Sequence, residues 1–142
     1  MNTTGWLSRL TLSQALILAL LVKLTVAASL PMTGDEAYFV LWGRHLDYGY
    51  YDHPPMAGWL TWLMLQIYEH PVVVRLPGIA TELLIAIGLY AQWHRFDAEK
   101  ARLAALVFLF SPLSLIFVFT LTDTGCMLFA ALSSFAAMQA LT

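Results

Sequence analysis

Leu12 to Met32 is a run of mostly apolar residues carrying a single charge, Lys23. An α-helix rises ~1.5 Å per residue, so ~20 such residues cross the ~30 Å hydrocarbon core of a bilayer. Inside that core backbone polar groups must be satisfied without water, which leaves a helix as the way for a single run to cross. Similar runs at 72–93, 103–121 and 124–142 predict an all-α, polytopic helical membrane protein. A soluble domain is excluded by surface chemistry. Only 11% of the residues are charged and 60% are hydrophobic, against the usual ~25% charged, and the mean hydropathy is +0.71. A cleaved signal peptide is the rival reading of 12–32. Its apolar core is normally ~7–15 residues, and this run is longer and interrupted by Lys23, so a retained helix is expected.

Between the first two runs lies the polar part of the chain, Gly34 to Pro55, GDEAYFVLWGRHLDYGYYDHPP. Thr33-Gly34-Asp35-Glu36 reads as a capping box, in which Thr33 accepts from the Glu36 N–H and the Glu36 carboxylate reaches back. A short helix over 35–47 follows, rich in aromatic residues that suit the headgroup level. Tyr48-Gly49-Tyr50-Tyr51 ends it. Pro54-Pro55 suits the first turn of a second short helix, 55–68, because proline presets φ and lacks a donor there. At about this length it lies at the interface; a full span is the alternative.

Charges within the apolar runs need partners. Lys23 is expected to pair with Glu82, and Arg75 shares a helical face with Glu82 at seven residues' separation. Ser111-Pro112 predicts a kink in the run 103–121. Cys126 reads as a buried inert thiol. Arg9, Arg95, Lys100 and Arg102 gather on one side if the spans are as above, and Arg44 and Arg75 on the other. Positive residues favour the cytoplasm, which puts the amino terminus inside and the loop 34–71 and Asp123 outside.

Several residues admit both a structural and a chemical reading. Asp35 and Glu36 are first-turn acids that stabilise a helix dipole, or a general base with its support. Asp123 stands in a Thr-Asp-Thr at a helix start, as a cap or as a second acid on the same outer side. Asp52-His53 is a cap before the prolines, a divalent-metal pair, or a phosphate or sugar contact. Arg75 is an anchor, or a bidentate clamp on a lipid phosphate. His45 and His70 read as solvated loop residues, and the tryptophans and tyrosines as interfacial anchors. There is no glycine-rich phosphate loop, nucleophile elbow or zinc-ligand spacing, and a net charge of −2 argues no nucleic-acid partner.

The order GDEAYFVLWGRHLDYGYYDHPPMAGWL, VVRLPG, SPL and LTDT resembles the membrane glycosyltransferases that use polyprenyl-phosphate sugars. These include the protein O-mannosyltransferases and the lipid A aminoarabinose transferases. The resemblance covers about residues 10–142. It implies a C-type glycosyltransferase fold whose first outer loop carries two interfacial helices. It further implies that 1–142 is a single amino-terminal membrane segment of a larger enzyme of the bacterial inner membrane, inactive by itself. Asp35 takes the place of the catalytic base or acceptor acid, with Glu36 in support and Asp123 at the start of the fourth span. Asp52, His53 and Arg75 fall on substrate-binding positions. Gly125 departs from relatives that carry proline after the TDT. The implied partners are a polyprenyl-phosphate sugar donor, a lipid, protein or polysaccharide acceptor, and membrane lipids. No cofactor is firmly implied; a divalent cation near Asp52 or Asp123 is the candidate.

Two rival functions differ in class. A non-catalytic membrane subunit would use the small residues Ala130, Ala131 and Ser134 to pack against partner helices. A transporter fragment would use Lys23 and Glu82 as a midplane ion site, leaving the loop acids idle.

Overall fold

The computed structural model describes residues 10–140, which contain helices and no strand. In order these are α1 (Leu12–Ser29), α2 (Gly34–Arg44), α3 (Met56–Leu65), α4 (Pro71–Trp93), α5 (Ala98–Leu109), a 3-10 helix (Pro112–Val118) and α6 (Thr124–Ala140). Helix starts are chemically marked. Thr11 and Gln14 form a capping box on α1, and Thr33 and Glu36 form the expected one on α2. The His70 ring accepts from the Val72 N–H ahead of Pro71, and Asp97 accepts from Glu99 and Lys100. Pro55 stands at the cap position of α3 with no side-chain cap. Asp52 therefore does not cap that helix.

Two helices, α1 and α4, are long and apolar enough to cross a membrane. Their 18 and 23 residues correspond to ~27 and ~35 Å. α3, at 10 residues, reaches only ~15 Å and is too short to cross. The kink expected at Ser111-Pro112 in the run 103–121 is present, as a full break of the helix. Helix α5 starts earlier, at Ala98, stops at Leu109, and the chain resumes as the 3-10 helix after a 61° bend. Pro112 is the cause, because it lacks an N–H and disfavours helical backbone at Ser111. Counted as one broken span, this pair makes a third crossing. α6, a mostly apolar helix of 17 residues, packs on α4. Arg9, used above for orientation, and the end of the run 124–142 lie outside the described residues.

Small residues allow the helices to approach. Ala15 and Ala19 of α1 meet Ala86 of α4 and Leu106 and Leu109 of α5 in one buried cluster. A second joins Ala27, Ile79 and Val118. The α2–α3 hairpin has its own core of Phe39, Trp42 and Ala57, with Tyr50 stacked on Trp42 at 4.4 Å. Gly43 lets these two short helices touch, since a Cβ there would sit 2.9 Å from the Trp62 nitrogen. Cys126 is exposed, not buried. Helix α6 leaves most of its surface uncovered, and its buried residues are Thr124 and Gly125 at its start.

The bundle has two distinct ends. At one, Arg102 Nη1 donates to the Leu10 carbonyl at 2.6 Å. At the other, the α2–α3 hairpin packs on α4, and Arg75 of α4 ties the start of α2 to the end of α1.

Candidate active site

Arg75 organises that second end. It is fully buried on α4, and each of its five N–H donors has an acceptor. Nη1 donates to the Ala27 and Leu30 carbonyls at 2.6 and 3.0 Å, and Nη2 to the Pro31 carbonyl at 2.8 Å. These include carbonyls that the end of α1 leaves without intrahelical partners. Nε and Nη2 grip the two Glu36 oxygens at 2.8 and 2.7 Å. The flat guanidinium fork suits such a bidentate contact.

Glu36 is equally saturated. Beyond Arg75, its Oε2 accepts from the Thr33 N–H at 2.9 Å and its Oε1 from the Thr120 N–H at 3.1 Å. Burial pushes its pKa up, but the Arg75 hydrogen bonds, the two backbone donors and the guanidinium charge outweigh burial and hold it below the usual carboxylate range. The Thr120 contact is decisive for the topology. It draws the chain segment that follows the 3-10 helix across the start of α2, 84 residues earlier in sequence. Thr120 Oγ1 also donates to the Val74 carbonyl of α4 at 3.2 Å.

A cavity of about 190 Å³ opens where these elements meet. Asp35, Tyr38 and Phe39 of α2 form one wall, Asp52 and His53 a second, and Thr120 to Thr122 a third. Asp35 is exposed, and its neighbour Glu36 is turned inward on Arg75. His53 Nδ1 lies 2.9 Å from Asp52 Oδ1, and its ring sits 5.7 Å from that of Trp42. Asp123 follows Thr122 directly and is exposed at the start of α6, but is not among the cavity's lining residues.

Of the residues singled out in the sequence, the fold thus brings Asp35, Asp52 and His53 to one cavity and leaves Asp123, next to Thr122 in the chain, outside its lining. Glu36 and Arg75 lie behind it, bonded to each other. Arg75 has no donor left for a phosphate in this arrangement. His70 caps α4, and His45 is the exposed C-terminal cap of α2. Thr120, Thr122, Tyr38 and Phe39 are cavity residues with no signal in their spacing; only the run of TDT beside a lone acid hinted at that segment. Among the described residues no group of three or more His, Cys, Asp or Glu is placed to hold a metal. Asp52 and His53 are two donors turned on each other, which is a poor fit for a bound cation.

This is a helical membrane protein with an acidic cavity at one end of its bundle. Comparison with known families matches residues 52–142 to the family described as dolichyl-phosphate-mannose-protein mannosyltransferase. That is more than half of the chain, and the chain belongs to this family of membrane glycosyltransferases. No curated protein and no solved structure matches.

Proposed function

We propose that this chain forms the acceptor-side portion of a glycosyltransferase active site on the extracytoplasmic face of the membrane. The donor is a sugar on a polyprenyl phosphate. The single observation that carries the reading is the position of Asp35, an exposed carboxylate on a cavity wall whose neighbouring acid is fully occupied elsewhere. Asp35 accepts the proton of an acceptor hydroxyl as that oxygen attacks the anomeric carbon. The new bond to the anomeric carbon forms as its bond to phosphate breaks. The polyprenyl phosphate leaves with the electron pair, and the anomeric configuration inverts. His53, oriented by Asp52, is the donor toward the departing phosphate. Asp123, next to Thr122 in the chain, supports acceptor binding. Glu36 and Arg75 act as positioning residues, holding α2 and the Thr120–Thr122 wall in place. No step is routed through a metal.

The positive turn at 94–102 supports a cytoplasmic position for that end of the bundle in a bacterial inner membrane, with the cavity outside. The test is Asp35→Asn in the full-length protein, assayed for sugar transfer in membranes. Turnover is expected to fall by ~100-fold or more with unchanged thermal stability. Unchanged turnover would remove Asp35 from the chemistry.

A further inference from the structure

Lys23 and Glu82 are buried at the level of the bundle's middle, on α1 and at the midpoint of α4. Lys23 Nζ lies 2.7 Å from Glu82 Oε2. The same ammonium donates to the Ser114 carbonyl at 2.6 Å, and Ser114 belongs to the 3-10 helix beyond the α5 break. An ion pair taken out of water is costly and is often replaceable by apolar side chains without loss of stability. Stability by itself is therefore a weak reason for its presence, and the third contact points to another.

The break in α5 strips carbonyls of their helical partners in a region where water is scarce. Carbonyls on both sides of the break accept from side chains. Ser111 Oγ donates to Phe108 O at 3.0 Å, Ser114 Oγ to Leu109 O at 2.8 Å, and Lys23 to Ser114 O. Further on, Gly78 lets the Phe117 carbonyl pass; a Cβ there would be 2.6 Å from that oxygen. Thr120 N–H then reaches Glu36. The segment from the break to the cavity wall is thus tied at one end by Lys23–Glu82 and at the other by Arg75–Glu36.

We propose that Lys23 and Glu82 are positioning residues for sugar transfer. By holding Ser114, they set the register of the 3-10 helix and the extended segment after it, which delivers Thr120–Thr122 to the cavity. This rests on the glycosyltransferase reading above. Small displacements of a catalytic wall are expensive, with ~1 Å costing as much as ~100-fold in rate.

The experiment is the apolar exchange Lys23→Met with Glu82→Leu in the full-length protein. Two readouts are taken: turnover of sugar transfer with donor KM, and the rate at which a Thr122→Cys thiol, in a Cys126→Ser background, reacts with a water-soluble maleimide. A purely structural pair is restored by the apolar exchange. A positioning pair is not, so kcat is expected to fall about tenfold or more with donor KM within about twofold, in protein of normal thermal stability. Labelling at position 122 is expected to change several-fold. If the exchange does not accumulate, Gly78→Ala presses on the same segment at the Phe117 carbonyl with the ion pair intact, and the same two changes are expected. Unchanged labelling overturns the proposal even if the chain transfers no sugar, since that readout needs no activity. Changed labelling with unchanged kcat overturns the link to the reaction and leaves the glycosyltransferase reading standing.

Discussion

The two buried ion pairs of this bundle look alike on paper and are built differently. Arg75–Glu36 is a closed network in which five donors and two carboxylate oxygens are all matched. It sits at the end of the bundle and joins α1, α2, α4 and the Thr120 segment. Lys23–Glu82 is a sparser contact in the middle, with one ammonium shared between a carboxylate and the carbonyl and hydroxyl of Ser114. The difference follows from the side chains. A planar guanidinium can gather orphan carbonyls from several elements at once, whereas an ammonium is a compact point charge on a flexible stem. The first pair assembles the site's frame, and the second tunes the course of one segment toward it.

The sharpest way to break this comparison is to remove the guanidinium. Arg75→Met leaves Glu36 charged and buried without its partner, together with freed carbonyls at the end of α1. A loss of ~3–5 kcal/mol is expected, read as a large fall in folded yield and melting temperature in detergent. The apolar exchange at Lys23 and Glu82, by contrast, is expected to fold.

Acid titration sharpens the contrast from the other side. Glu36 has a folded pKa below its usual 4.5, so its stabilisation is complete above that value. It is lost as pH falls through the lowered folded pKa. The melting temperature is therefore expected to drop as pH is taken below about 4.5, and Glu36→Gln is expected to start lower and flatten that acid limb. An acid limb identical in the variant would show that another group carries it.

The smallest effect is expected at the exposed Arg44–Glu69 pair, which links α2 to the loop before α4. Both side chains are more than half exposed, and such pairs contribute at most ~1 kcal/mol. Arg44→Ala is expected to leave the melting temperature nearly unchanged. A large drop would mean that the hairpin depends on surface charge more than on the Trp42–Tyr50 stack.

Much of the architecture was readable in the residues. Apolar run length marked α1 and α4, the capping boxes and prolines marked helix starts, and the lone charges Lys23 and Glu82 announced each other. The Ser111-Pro112 kink was visible as well, but its consequence was not. Proline chemistry says that a helix breaks; it does not say that the continuation becomes a 61° turn into a 3-10 segment. The partner of Arg75 was not legible, because helical spacing reports neighbours on one helix only. Its partner, Glu36, lies 39 residues away in sequence, on α2. For the same reason the cavity's acids could be named individually, while Thr120 and Thr122 were missed. Their place depends on a backbone hydrogen bond from Thr120 to Glu36, which no side-chain pattern encodes.

The start of α2 and the segment before α6 meet at one end of the bundle. Cysteines at Asp35 and Thr122, in a Cys126→Ser background of the full-length protein, test this with a short bifunctional thiol reagent. Rapid intramolecular cross-linking is predicted, with none when the Asp35→Cys partner is moved to Ala98 at the α4–α5 turn. Two thiols that each react with a monofunctional reagent but never with each other would contradict it.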